Sequence, residues 1–174
     1  MKRNKRAIWD FVSLNQKRFK SLADKVWATP ETCYSEHRSL NVHVKELEYH
    51  KFSVKKGIAN IPTAVLGESG VDGPVIAFLG EYDALAGLSQ KADLFHQETI
   101  KKGANGHGCG HNLLGSASMQ AAVALRDWLQ DSNLPGVVRY YGCPAEEGGA
   151  AKTFMVRDKI FEDVDAAITW HPGC

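Results

Sequence analysis

Three short apolar runs separated by two helical patterns constrain this chain more than any other feature. Val75-Ile76-Ala77-Phe78-Leu79 is apolar on both alternating faces, as a strand buried between two layers must be. Val137-Val138-Arg139-Tyr140-Tyr141 and Ala166-Ala167-Ile168-Thr169-Trp170 are the second and third runs. Between the first two, His111 to Gln130 reads as an Ala-rich helix with Leu114, Ala117, Ala121, Leu125 and Trp128 on one stripe. Between the last two, Lys152 to Phe161 reads as a further helix. The order strand, helix, strand, helix, strand is that of an α/β layered sheet with parallel strand pairs and flanking helices.

The first half prepares that sheet. Ile8, Phe11, Val12, Phe19, Leu22, Ala23 and Val26 recur at helical spacing, and Pro30 bounds the helix. A second helix is predicted from Ser35 to Tyr49, with Leu40, Val44 and Leu47 on one face. Phe52-Ser53-Val54 and Thr63-Ala64-Val65-Leu66 read as short strands, and Glu68 to Pro74 as a turn. Positions 87–110 form a long polar loop. Trp9, Trp27 and Trp128 are expected in packing, Glu36-His37-Arg38 on a helix surface, and Lys101-Lys102 in a solvated loop.

A chain of 174 residues is long enough for one domain with a core, and its formal net charge of +1 gives no reason to expect a nucleic-acid or membrane partner. The basic start Met1-Lys2-Arg3-Asn4-Lys5-Arg6 is not followed by an apolar signal region, because Asp10, Asn15, Gln16 and Lys17 interrupt it. No apolar run approaches the ~20 residues of a membrane span. A cytoplasmic location is the expectation. Cys33, Cys109, Cys143 and Cys174 are scattered and form no disulfide framework.

Each apolar run ends in residues capable of chemistry: Gly80-Glu81-Tyr82-Asp83, then Gly142-Cys143-Pro144-Ala145-Glu146-Glu147, then His171-Pro172. In open α/β sheets ligands bind beyond the carboxyl ends of the strands, so parallel strands would bring these clusters to one edge. Gly106-His107-Gly108-Cys109-Gly110-His111-Asn112 adds two imidazoles and a thiol among glycines, good donors for zinc and similar metals. His107 is the less secure donor and fits the rim of a pocket. Each feature also has a plain reading. The glycine loop can carry incidental histidines, Glu146-Glu147 can be a solvated first helical turn, and His171 can be a surface residue. Glu81 and Asp83 can be a polar strand end, or can include a carboxylate that orients a ligand histidine. Beside a metal, one of Glu146 and Glu147 can bind it while the other takes a proton from water.

These segments, with Ala84 to Leu88, Leu113-Leu114-Gly115, Gly148-Gly149 and Thr169-Trp170, resemble the M20 family of metallopeptidases and amidohydrolases. The resemblance covers nearly the whole chain, with four motifs in order. It implies a zinc-peptidase-like catalytic domain that is incomplete here. Residues 1–174 would be its N-terminal part, with a dimerisation or lid domain and the C-terminal part absent. It implies that Cys109, His111, Glu147 and His171 bind metal, that Glu146 is the general base, and that Asp83 supports the site from behind. Glu81 stands where many M20 peptidases carry a metal-binding histidine, and Asn112 where many relatives carry Asp. The implied cofactor is a pair of divalent ions, zinc or manganese. The implied reaction is hydrolysis of an N-acyl amino acid amide such as p-aminobenzoyl-glutamate. A related dipeptidase or N-acyl amino acid hydrolase, and a metal-binding module without turnover, are the alternatives. The implied full-length form is a homodimer or an A/B hetero-oligomer acting on a small-molecule substrate. The 174 residues alone are expected to hydrolyse little.

Overall fold

A computed structural model describes residues 2–172; Met1, Gly173 and Cys174 lie outside them. Helix α1 (Lys2–Trp27) and helix α2 (His37–Tyr49) precede the short strands β1 (Ser53–Lys56) and β2 (Val65–Ser69). Strand β3 (Val75–Glu81) leads through the long loop to helix α3 (His111–Asp131) and strand β4 (Val137–Cys143). A four-residue turn, α4 (Glu146–Gly149), helix α5 (Ala151–Arg157) and strand β5 (Ala166–Ile168) complete it. The sheet order is β1-β2-β4-β3-β5. As the apolar runs predict, β3 pairs in parallel with both β4 and β5. β1 and β2 extend the sheet with antiparallel pairing.

The two-residue period of the strands divides the core. Phe78, Val138 and Tyr140 face α1, α2 and α3, meeting Phe19, Leu22, Leu40, Leu47 and Met119. Ala77, Leu79, Tyr141 and Cys143 face the other side, meeting Ile58, Ile61, Ala151 and Met155. Helices therefore cover β3 and β4 on both faces, which accounts for strands without polar alternation.

Several local expectations are corrected. The turn expected from Glu68 begins later, because Glu68 and Ser69 continue β2 in register with Ser53 and Val138. On α3 the buried face is Leu114, Ser118, Met119, Ala122, Val123 and Arg126, while Ala117 is exposed. The helix lies between α1 and the sheet, so its buried face is wider than one apolar stripe and rotated from it. Helix α5 stops at Arg157 rather than reaching Phe161. Lys159 adopts φ 62° and the Ile160 N–H returns to the Met155 carbonyl, a left-handed helix stop. β5 is exposed and shorter than Ala166–Trp170; among the described residues it pairs with β3 alone, at the sheet edge. Trp9 is exposed, and Glu36 is buried rather than on a helix surface.

One core residue makes stability depend on pH. His43 is fully buried between Tyr82 and Tyr140, with the Tyr140 hydroxyl 2.8 Å from Nδ1. Burial holds its pKa down to about 3, against the opposing charge of Glu46. The unfolded chain takes up a proton near the ordinary value of about 6.5, and the folded chain does not. Between those values the unfolded state binds more protons, so stability rises with pH by up to about 1.4 kcal/mol per unit from this group. Urea unfolding at pH 7 and 5.5 should show weaker stability at the lower pH, with a smaller loss in His43→Leu. Equal pH slopes in the two proteins would contradict this.

Candidate metal centre

The parallel pairing of β3 with β4 sets Glu81 opposite Cys143, and β5 runs the same way toward His171. The three polar strand ends therefore meet at the carboxyl edge of the sheet. The loop after β3 returns through pairing of Leu85 with Gly106 and delivers Cys109 and His111 to that edge. Gly110 precedes α3 at φ 79°, a left-handed turn that glycine adopts without strain. Gly115 lets α3 seat on the end of β3, since a Cβ there would stand 2.3 Å from the Glu81 carbonyl oxygen.

His111 is the hub and is fully buried. Its Nδ1 lies 2.9 Å from Asp83 Oδ1, whose other oxygen accepts the Glu147 N–H at 2.9 Å. Its Nε2 faces His171 Nε2 at 3.1 Å and Glu81 Oε2 at 3.2 Å. Glu147 Oε1 stands 3.7 Å and Glu146 Oε2 3.9 Å from the same nitrogen. Around His171 Nε2 lie Glu146 Oε2 at 3.4 Å, Cys109 Sγ at 3.6 Å and Glu81 Oε2 at 3.7 Å. Lys152 Nζ pairs with the other oxygen of Glu81.

The proton positions in this cluster argue for a cation. Asp83 accepts from Nδ1 of His111, and the Pro172 carbonyl, 2.9 Å away, accepts from Nδ1 of His171. In each neutral ring the proton then sits on Nδ1, so both Nε2 lone pairs point at each other. Glu81 Oε2 and Glu147 Oε1 are buried with no hydrogen-bond partner. Two lone pairs and two orphaned carboxylate oxygens at this spacing repel unless positive charge is shared among them, as a metal ion or an added proton on His111 would supply. Cys109 Sγ, His111 and His171 are close enough to ligate one ion, as are Glu81, His111, Glu146 and His171. The donor set of imidazole, carboxylate and thiol suits zinc or a related divalent ion.

The acids of the site set its electrostatics. Burial alone would raise the Asp83 carboxyl, but hydrogen bonds from His111 and the Glu147 N–H hold it below its ordinary value. Burial alone would lower His111, but Asp83, Glu81 and Glu147 raise it. Burial, then the neighbouring Glu147 and Glu146, push the Cys109 thiol up to about 12. Only a strong local cation would make it a thiolate, as a coordinated metal does outright.

Of the residues read from sequence, Asp83, Cys109, His111, Glu146, Glu147 and His171 come together here. Glu146 and Glu147 do so from a helical turn. His107 turns away; it is buried against Trp27, with Nε2 3.1 Å from the Val26 carbonyl oxygen. Cys143 is buried in the second core, with Sγ 3.6 Å from the Tyr141 carbonyl oxygen. Glu81, in sequence a polar strand end or an outer support, points Oε2 into the cluster. Its two-residue spacing from Asp83 is the signal that sequence offers for it. Lys152 carries none.

No family model matches the chain. Its fold is that of M20 peptidase domains. A dinuclear metal binding peptidase from the M20 family, from Bacillus subtilis, superposes with a TM-score of 0.73 at 24% identity, over 94% of this chain and 44% of that one. The likeness to that M20 structure is one of fold. In sequence it is 50% identical to a p-aminobenzoyl-glutamate hydrolase subunit of Escherichia coli over 167 residues, covering 96% of this chain and 35% of that protein. It is 30% identical to the Xaa-Arg dipeptidase of Mus musculus over 90% of this chain and 35% of that protein. The chain thus spans about a third of the length of these curated relatives.

Proposed function

We propose that this chain is part of a metal-dependent amidohydrolase that cleaves p-aminobenzoyl-glutamate to p-aminobenzoate and glutamate. The observation that carries the reading is the pair of imidazole Nε2 atoms facing each other at 3.1 Å inside a ring of carboxylates and a thiol. The 50% identity to a p-aminobenzoyl-glutamate hydrolase subunit supplies the substrate. Residues 1–174 are read as the first part of the catalytic domain. The location is read as cytoplasmic; no described helix is long and apolar enough to cross a membrane. The relative is named as a subunit, and a homodimer or a hetero-oligomer of two subunit types is the assembly we infer.

In this reading Cys109, His111, Glu147 and His171 hold a pair of divalent ions, zinc or manganese, and Glu81 Oε2 joins them. A divalent ion there supplies Lewis acidity, polarising an amide carbonyl and making water a stronger acid. Glu146 accepts the proton of the attacking water on a carboxylate oxygen and returns it to the leaving nitrogen. Asp83 keeps the His111 proton on Nδ1, so Nε2 stays a donor of electrons toward the site. Lys152 holds one oxygen of Glu81 and leaves the other turned inward.

The test is release of p-aminobenzoate from p-aminobenzoyl-glutamate by the intact protein containing this chain. We expect chelation to abolish release and added zinc or manganese to restore it. A dipeptide ending in arginine, the bond named for the mouse relative, should be cleaved more slowly. Faster cleavage of the dipeptide would make the protein a dipeptidase. Bound metal with no cleavage of either substrate would leave a metal-binding module.

A further inference from the structure

The segment joining α1 to α2 reaches the site from behind. Glu36 is fully buried at the start of α2. Its Oε1 accepts the N–H of Tyr34 at 3.0 Å and the N–H of Ala145 at 2.8 Å. Ala145, at φ 54°, is the residue directly before Glu146. At the other end of α4, the Tyr34 hydroxyl donates to the Gly149 carbonyl at 2.5 Å. The Tyr34 ring fills the space beside Gly149, where a Cβ would stand 2.4 Å from it. One short segment therefore grips both ends of the turn that carries Glu146 and Glu147.

That turn cannot hold itself. A four-residue helix has almost no intrinsic stability, because fixing its backbone costs more than its few internal hydrogen bonds return. Ala145 and Ala150 flank it in left-handed conformations that alanine disfavours. Its two carboxylates repel each other and those of Glu81 and Asp83. An unrestrained turn would swing outward, away from this concentration of negative charge. Ala145 and Ala151 on either side of it are buried in the second core, and the polar restraints on it are the Asp83 contact to the Glu147 N–H and the two contacts from Tyr34 and Glu36.

We propose that Glu36, with Tyr34, is a positioning residue that clamps the Ala145–Gly149 turn, so that Glu146 and Glu147 face His111 and His171. This deepens the metal-site reading above and rests on it for its purpose, though the clamp itself can be tested without metal. Glu36 touches neither imidazole and acts through the backbone of Ala145.

The experiment uses the intact protein containing this chain and the variants Glu36→Ala, Glu36→Gln and Tyr34→Phe, each alone and with Glu147→Ala. Amide hydrogen exchange is measured without metal, and zinc affinity by competition with a chelating dye. In Glu36→Ala, exchange across 145–149 should quicken by about tenfold, while α1 and α3 stay protected. Zinc affinity should fall about 10–100-fold, the usual effect of losing an outer support. Glu36→Gln keeps the acceptor oxygen and should restore both. When Glu147 is already alanine, removing Glu36 should cost little further zinc affinity. If Glu36→Ala does not fold, Tyr34→Phe decides through the same exchange, which should quicken at 148–149 alone. Unchanged exchange at 145–149 in both variants would overturn the clamp, as would zinc losses that add fully to that of Glu147→Ala. Faster local exchange in a chain that binds no zinc would leave the clamp standing and sink the metal-site reading.

Discussion

Glu146→Gln is expected to slow p-aminobenzoyl-glutamate hydrolysis by the intact protein about 10²–10⁴-fold, the usual contribution of a positioned general base. Bound metal should stay at the parent level. Glu146 is the more exposed of the two glutamates, with Oε2 3.4 Å from His171 Nε2 and 3.9 Å from His111 Nε2. Glutamine keeps the shape and hydrogen-bonding reach of the side chain but cannot accept a proton at neutral pH. Glu147→Gln should behave differently. Glu147 Oε1 is buried without a partner, and its N–H is tied to Asp83, so the loss should appear as weaker metal binding. Rate measurements beside elemental analysis of both variants separate the roles. Metal lost from Glu146→Gln and kept in Glu147→Gln would exchange them.

Zinc or manganese bound stoichiometrically to the purified chain is expected to disappear in the Cys109→Ala, His111→Ala double variant. His111 Nε2 is the atom that the other donors surround, and Cys109 is the thiol within reach of the two imidazoles. Loss of an outer partner of a metal ligand typically costs 10–100-fold in affinity, so losing two ligands should cost well over about 10²-fold. The substitution also leaves Asp83 Oδ1 buried without its partner, so circular dichroism must show that the variant is folded. Elemental analysis then decides. A folded parent chain that holds no divalent ion would remove the physical basis of the proposed function. Equal metal in parent and variant would place the ion elsewhere.

The parts of the molecule written in local patterns are legible in the sequence. Apolar runs bounded by turns fix β3 and β4 to within two residues, and periodic apolar spacing places α1, α2 and α3. The polar ends of those strands identify the edge where the site lies, because parallel pairing brings carboxyl ends together. The glycine-spaced Cys109 and His111 and the Glu146-Glu147 pair stand out by composition alone. Glu36 does not, because a charged residue ahead of a helix ordinarily lies in water. Its partner, the Ala145 N–H, is 109 positions away. The buried face of α3 is hidden for a similar reason: a stripe of large apolar residues does not reveal that two layers cover the helix.

By itself the sequence determined which segments become strands and helices, and which side chains were available for chemistry. Both depend on interactions between residues a few positions apart. The tertiary structure alone decided that Glu81 faces inward, that His107 turns away, and that Glu36 holds the Glu146-Glu147 turn. His111 meets Asp83 across 28 positions and His171 across 60. Contacts over such separations form only when sheet register and helix packing are complete. The charge arrangement that calls for a metal is a property of the assembled edge and of none of its segments.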